Sequence, residues 1–471
     1  MRLPAGALHE QRLSAVRTRQ CRLCLTCGKI GHTFFSFSPK LLFSPPPVKV
    51  GMSSPPQCLA NHSSLRYIVN PLPMIEPSFP RFSPSASLAV LGGGMAGLTA
   101  AVEAAECGIS THLVEISSSL GGRVRALASY FPKMCPPSCG LELLEGRLRR
   151  HPRVRLHLST RLAGYAASDG RHELVLQSLA PTGDGQDEPA APSAIRCDAV
   201  IVATGWRPYP VAHLADRGVG HPLCLTNVQL ERLLSPDGPT GGRVLRPDTG
   251  VPPRRMAFLQ CAGSRDVNHL PHCSAVCCSA TLKHCRILLE RLPDLHIDVY
   301  YMDLRTPGRL FLLREALTEH ERAGRLRFLP ARPHRAEPDG DGIRLPAENS
   351  LTGERLAYRY DLAVWAAGMR PSLSPHDISA AAWPNLPENW QGQPLPQAET
   401  LPLPLLLDRQ GFVMESGQAG IFAAGCAVRP MNVAESVRSG AAAAMRALAH
   451  LHRGTGAVGT RQAARQGGDH V

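Results

Sequence analysis

The chain has 471 residues, 44% of them apolar and 19% charged, as expected of a globular protein with two or three domains and a sizeable core. No run approaches the ~18 uninterrupted apolar residues of a membrane helix, so any membrane link must come through a partner. Most of the formal charge of +13 lies in residues 1–85, where ten Lys or Arg face only Glu10 and Glu76; the remaining 386 residues keep +5 and no basic stripe with interleaved aromatics, which argues against nucleic acid.

Residues 1–85 are expected to be a disordered or spurious tail. Positions 36–85 are rich in Pro and Ser, with Pro45-Pro46-Pro47 and Pro55-Pro56, and have no sustained periodicity. Cys21, Cys24 and Cys27 spell C-x2-C-x2-C, but the fourth ligand and following Pro of a ferredoxin run are missing. The Arg-rich, acid-poor start is also like an organellar targeting peptide. A plainer alternative starts the protein at Met52 or Met74.

The fold is expected to begin near Ser87. SLAVL reads as a buried strand, GGGMAG follows at once, and the helix AGLTAAVEAAEC runs to Gly108. Gly92, Gly94 and Gly97 fill the G-x-G-x-x-G positions of a dinucleotide fingerprint. The first permits the turn, the second lets backbone approach a pyrophosphate, and the third lets helix and strand pack closely. The helix N-terminus stabilises phosphate charge. Strand STHLVE ends in Glu115, placed to accept hydrogen bonds from ribose hydroxyls. Further on, the segment 181–194 reads as an exposed hairpin loop.

Residues 256–301 repeat the strand–loop–helix–strand order, with a difference. The apolar run from Met256 to Gln260 ends in Cys261, and Cys273, Cys277 and Cys278 follow before the helix ATLKHCRILLERL and the run HIDVYYM. Where a glycine fingerprint for a nicotinamide dinucleotide is often found, four thiols occupy a polar loop. Four thiolates are what an iron–sulfur cluster needs, and a [4Fe–4S] cluster is the expected occupant. Fifteen cysteines without a clear secretory signal also read as metal or redox thiols in a reducing compartment. A buried structural pair at Cys277–Cys278 is the blander alternative. His269 and His272 lie in the same loop; His272 is a spare iron ligand, though four thiols suffice. Cys107, Cys197, Cys224 and Cys285 sit in expected helices or strands and read as inert.

Glycine fingerprint, acid and then Gly121-Gly122-Arg123 together resemble the pattern of two-dinucleotide-binding-domain flavoproteins. The later segments CDAVIVATGWRP (197–208), DLAVWAAGMRP (361–371) and GIFAAGCAVRP (420–430) are similar to that superfamily's two strand–glycine units and its closing flavin-contact motif. The resemblance implies FAD held by Gly92, Gly94, Gly97, Glu115, Gly122, Arg123, Thr204, Gly205, Gly425 and Val433. It also implies that helix N–H groups around Asn432–Ala434 face the flavin pyrimidine edge. Cys426 stands where the family usually has Asp. More narrowly, YFPKMCPPSCG (130–140) and the segments at 227–242, 260–274 and 300–309 resemble, in order, the A subunit of the quinone-interacting membrane-bound oxidoreductase complex, a relative of the heterodisulfide reductase flavoprotein. The resemblance covers about residues 87–450.

Three readings of Cys135 and Cys139 stand side by side: a redox dithiol exchanging electrons with the flavin, a support or ligand for the cluster, and two packed thiols in a Pro-stiffened loop. The expected architecture is α/β, with a first flavin-domain part at 86–245, an inserted α/β domain with the cysteine loop at 246–350, a second flavin-domain part at 351–452, and a tail at 453–471. The resemblance implies an FAD and iron–sulfur protein relaying electrons between the quinone pool and adenylylsulfate reductase in dissimilatory sulfur metabolism. Its place would be cytoplasmic, peripheral to the inner membrane through partner subunits, with no NAD(P)H site. Two rivals remain: a flavin-dependent dithiol–disulfide oxidoreductase and a non-catalytic scaffold protein of the complex.

Overall fold

The computed structural model describes residues 82–83, 85–180, 191–373, 401–408, 412–414 and 420–466, with side chains of 211 and 454–466 left aside. The tail expected at 1–85, with Cys21, Cys24 and Cys27, lies almost wholly outside these residues, as does 181–190 of the expected loop.

The chain enters along β1 (Ser87–Leu91), whose five residues are all buried, turns through 92–94 into α1 (Met95–Glu106), and returns as β2 (Ser110–Val114). Helix α2 (Ser138–Arg150) leads to β3 (Val154–His157). An antiparallel meander follows, β4 (Thr160–Ser168), β5 (Arg171–Ser178) and β6 (Ser193–Cys197). Then β7 (Ala199–Val202) pairs on the opposite side of β1 from β2. Strand order therefore reverses at β1/β7, and the Gly92–Gly94 turn leaves β1 at that switch point, where open α/β sheets bind their ligands.

After β7 comes the short β8 (Trp206–Pro208), then β9 (Cys224–Thr226) and α3 (Asn227–Leu234). Thr226 caps α3 reciprocally with Gln229. The second layer begins with β10 (Arg255–Ala262), α4 (Cys277–Arg291) and β11 (His296–Tyr300). Two short helices, α5 (Phe311–Glu315) and α6 (Thr318–Arg322), lead to β12 (Leu326–Leu329). A three-stranded meander, β13 (Glu337–Asp339), β14 (Gly342–Glu348) and β15 (Arg355–Tyr360), precedes β16 (Leu362–Ala367) and β17 (Met369–Pro371). The chain closes with β18 (Ile421–Ala423) and α7 (Val433–Gln466).

Two parallel five-stranded sheets result, ordered β18–β7–β1–β2–β3 and β12–β11–β10–β16–β9. This is the expected two-sheet α/β architecture. The strand pairing differs from the sequence expectation in two places. Both β9 and β16 lie in stretches assigned to the flavin domain, yet they pair in the second sheet. The reason is burial. All six residues of β16 are buried beside β10, and one apolar core runs from Tyr209 to Ala367, past the boundary expected near 245. The sheets are joined by the antiparallel ribbon β8/β17, with Arg207 opposite Arg370.

Close packing in the first layer depends on absent side chains. A Cβ on Gly97 would lie 1.8 Å from the Gly92 carbonyl oxygen, and one on Gly440 of α7 would lie 2.2 Å from the Ala96 oxygen of α1. Backbone cannot yield as a flexible side chain does. Gly97→Ala and Gly440→Ala should each therefore cost about 1–3 kcal/mol in urea unfolding, whereas Gly250→Ala would meet nothing within 4 Å and, at φ +68°, carry only its backbone penalty.

Candidate functional site

The glycine turn is shaped by backbone sterics. Gly92 has φ +109°, and a Cβ there would lie 2.4 Å from the Ala203 oxygen. Gly94, by contrast, has ordinary φ −75° and ψ 179°, and a Cβ there would meet nothing within 4 Å. Its glycine is required neither by conformation nor by protein packing. The open space over it is what a pyrophosphate approaching the backbone would use. Glu115 is buried at the end of β2; its carboxylate accepts from Gly93 N–H at 2.5 Å and from Ser117 N–H at 2.8 Å. The Gly121–Gly122 turn lies alongside, with Gly121 N–H donating to Gly93 O at 2.8 Å.

Further predicted residues gather round the crossing between the sheets. Arg123 donates through Nε to Trp206 O at 2.8 Å and stacks 4.6 Å over the Trp206 ring. Burial, with Arg207 nearby, lowers its guanidinium pKa to about 10. Thr204 Oγ1 accepts from Ser372 Oγ at 2.8 Å, and Ser372 N–H donates to Gly205 O at 3.1 Å. Gly425 N–H donates to Ser439 Oγ at 3.0 Å. Asn432 and Glu435 cap each other reciprocally at 3.0 and 2.9 Å, which sets Val433 as the first residue of α7. Cys426 is buried, and its thiol donates to Met431 O at 3.4 Å.

The cysteine loop leaves the carboxyl end of β10, at the corresponding switch point of the second sheet. Cys261, Cys273, Cys277 and Cys278 all line one solvent-open cavity, with Arg265, Asp303 and Arg305. Among the described residues no three His, Cys, Asp or Glu converge as ligands of a single metal ion. Thiols spread around a cavity suit a cluster, whose irons each take a separate ligand. Cys277 and Cys278 open the first turn of α4, where helix N–H groups favour thiolate. Burial and the neighbouring thiols push Cys277 well above the usual thiol range. Burial also raises Cys261, against Arg265, which hydrogen-bonds it; Arg305 hydrogen-bonds Cys273, and Asp303 pairs with both arginines. Three non-glycine residues of this loop, Cys261, Arg265 and Ala275, each have φ +58°. Such strain is concentrated at functional sites.

Cys135 and Cys139 lie outside the cavity lining. Neither is in a disulfide, and Cys139 is exposed in a kink of α2. Tyr130 N–H donates to Cys135 O at 2.7 Å, and burial, with Cys139 and Cys135 adding, raises the Tyr130 phenol to about 12. His272 directs Nε2 to Met369 O at 3.0 Å rather than into the cavity lining. Of the cysteines read as inert, Cys197, Cys224 and Cys285 are buried and Cys107 is exposed.

Sequence reasoning missed a buried ionic group. Lys283 and His284 of α4 are 1% exposed and meet Glu231 of α3, with Lys283 Nζ 2.5 and 2.6 Å from the carboxylate oxygens and His284 Nε2 at 2.5 Å. Lys283 also donates to Ser129 O at 3.2 Å, and Ala128 N–H donates to Glu231 at 2.7 Å. Burial would raise the Glu231 carboxyl, but His284 and Lys283 outweigh it and hold it at about 2. Burial lowers His284, against the raising effect of Glu231; its Nε2 donates to the carboxylate, and its Nδ1 has no partner. The available signal was a Lys-His pair set between the apolar residues Leu282 and Cys285 of the helix. The group ties the loop after Arg123 to the helix that begins with Cys277.

Residues 87–158 match the family model of FAD-dependent oxidoreductases. The chain is similar to the A subunit of ferredoxin:CoB-CoM heterodisulfide reductase of Methanosarcina mazei, 28% identical with 79% of this chain and 54% of that protein covered. It is likewise similar to the second iron-sulfur A subunit of CoB–CoM heterodisulfide reductase of Methanopyrus kandleri, 28% identical with 78% and 65% covered. The chain thus spans about half to two thirds of these relatives, and its likeness to this heterodisulfide reductase component holds over the folded part. Among solved structures it is similar to thioredoxin reductase of Lactococcus lactis (15% identical, TM-score 0.48, 78% and 99% covered).

Because Gly94 has no conformational need to be glycine, Gly94→Val should leave thermal stability within a degree or two of FAD-stripped wild type. It should nevertheless abolish recovery of FAD from denatured protein. Loss of fold together with FAD would contradict this assignment. Lys283→Met should be far costlier to stability, about 3–5 kcal/mol in urea at pH 7, since it strands the Glu231 charge in the core. The pair's contribution is complete above the ordinary carboxyl pKa near 4.5 and is lost as pH falls through about 2; unfolding midpoints of wild type and variant should converge over that window.

Proposed function

We propose that this chain is an FAD and iron–sulfur electron-transfer subunit of a membrane-associated oxidoreductase complex. In this reading Gly92, Gly94, Gly97 and Glu115 hold the FAD pyrophosphate and ribose, with Gly122, Arg123, Thr204, Gly205, Gly425 and Val433 completing the pocket. Cys261, Cys273, Cys277 and Cys278 hold one [4Fe–4S] cluster. Bound FAD supplies two-electron chemistry that can be released singly, and a cluster accepts one electron at a time.

The observation that carries the reading is a small apolar cluster. Cys426 and Met431 of the flavin-contact segment pack with Met369, and Trp206 and Val276 join them. Val276 directly precedes Cys277. The residues assigned to the two redox groups are thus separated by one layer of side chains, which supports electron passage without a diffusing carrier. The chain's own residues set the surroundings: an apolar, water-excluding seam on one side, and Arg265 and Arg305 on the thiol side.

The finer assignment rests on the ordered segments at 130–140, 227–242, 260–274 and 300–309. It is a relay between the quinone pool and adenylylsulfate reductase in dissimilatory sulfur metabolism, with further subunits supplying the link to the inner membrane from the cytoplasmic side. Among the described residues no helix is long and apolar enough to cross a membrane. At the second switch point the turn holds Cys261-Ala262-Gly263-Ser264, and thiol ligands there leave a pyrophosphate poor access to backbone amides.

Anaerobic purification tests the proposal. Near one FAD per chain and iron bound by all four thiols are expected, with each single Cys→Ser change at 261, 273, 277 or 278 lowering iron or altering the reduced paramagnetic signal. Excess NADH should not bleach the flavin band rapidly in stopped flow. Normal signals in all four variants, or fast saturable bleaching, would overturn the assignment. A rival dithiol–disulfide oxidoreductase using Cys135 and Cys139 would instead lose two titratable thiols in step with flavin reduction, and regain them as the flavin is reoxidised by the disulfide.

A further inference from the structure

A second, solvent-open cavity is also lined by Cys261, and nothing in the electron-transfer reading uses it. It lies at the carboxyl edge of the second sheet, among Gln260 of β10, Tyr300 at the end of β11, Ala331 just past β12 and Trp365 of β16, with Arg217 and Arg332 at its rim.

Two features mark it as built for a ligand. Gln260 is 5% exposed, yet neither its Oε1 nor its Nε2 has a hydrogen-bond partner. A buried amide left unserved on both ends is costly, on the order of 1–3 kcal/mol for each group. The second feature is charge. Arg217 and Arg332 both reach one carboxylate, Asp266 Oδ2, at 3.4 and 3.3 Å. Two guanidinium groups thus share a single counter-charge at long range. Among the described residues neither guanidinium pairs with a second carboxylate. Arg217 donates to His269 Nε2 at 3.3 Å, which leaves the His269 proton on Nδ1, 2.6 Å from Tyr209 Oη. The site therefore offers excess positive charge at its mouth and an amide donor and acceptor at its base.

We infer that this cavity binds a small anion carrying a hydrogen-bond donor, a carboxylate or a protonated oxyanion, between Arg217, Arg332 and Gln260. The anion oxygens accept from the guanidinium groups and from Gln260 Nε2, and a hydroxyl on the ligand serves Oε1. The inference stands apart from the flavin and cluster assignments, and it is read by binding rather than by electron transfer.

Isothermal titration of the full anaerobically purified chain with glycolate, sulfate and hydrogen phosphate, at constant ionic strength set by chloride, tests it. One saturable site is expected for at least one probe. Preference for glycolate would identify an organic acid, and preference for hydrogen phosphate an inorganic oxyanion. Arg332→Gln and Gln260→Glu should each weaken binding at least tenfold while FAD content stays at the wild-type level. Gln260→Glu matches the native side chain in size, so it decides the matter should the arginine variant fail to fold. No saturable heat with any of the three probes would mean that water alone serves Gln260, and would overturn the proposal. So would binding unchanged in both variants.

Discussion

The backbone of Met369 is the point on which the two halves of the site depend. Its N–H donates to Ser274 Oγ at 2.6 Å and its carbonyl accepts from His272, so the cysteine loop hangs from it on both sides. Its side chain packs on Cys426 and Met431, which belong to the first layer. Met369 opens β17, whose pairing with β8 carries the chain between the two sheets. A shift there would move the loop and the flavin-contact segment relative to each other. Because interiors are close-packed, such a shift is resisted by every contact in the seam.

A second restraint acts a short way off and by different physics. The Glu231–Lys283 pair is held in a nearly dry interior, where removing each charge from water costs several kcal/mol and the mutual attraction only offsets that when geometry is good. Here both carboxylate oxygens are used by Lys283, one also by His284 and the other by Ala128 N–H. Such an arrangement adds little net stability over an apolar substitute of the same shape. What it adds is directional: Ser129 and Ala128 can dock on α3 and α4 in one register, since any other leaves a charge unmet. Phe131 and Met134 of the same loop then pack against the second core. Apolar contact alone would tolerate sliding.

Much of this was legible from short-range signals. The fingerprint at 92–97, the acid at 115 and the strand–loop–helix order at 255–300 are local patterns, and the structure places them on the expected elements. Pairing between distant segments was not local. The expected break near 245 follows the order of the motifs, whereas the sheet to which Cys224–Thr226 belongs is decided by burial beside β16, more than 130 residues later. The ionic group at Glu231 was missed for the same reason: a lone acid on α3 reads as solvated until α4 is packed against it. Gln260 carried no signal at all, because an amide inside an apolar run says nothing about whether it is served.

The two switch points show why the same local geometry has been filled with different residues. In the first sheet the turn itself is the working part. Its amides must be approached, so side chains are in the way, and Gly94 is open above. In the second sheet, on the proposed cluster assignment, the working part is the side chain. Glycine would relieve the left-handed backbone at 261, 265 and 275, each of which costs on the order of 1–3 kcal/mol, but glycine at 261 would remove a thiol and at 265 the guanidinium that reaches it. The loop therefore keeps the strained residues and compensates with anchors: Ser274 and His272 on Met369, Leu270 N–H on Gly263 O at 2.9 Å, and Arg265 on Asp303. A turn that binds through its backbone selects for glycine, and a turn that binds through its side chains must carry its strain and be held from outside.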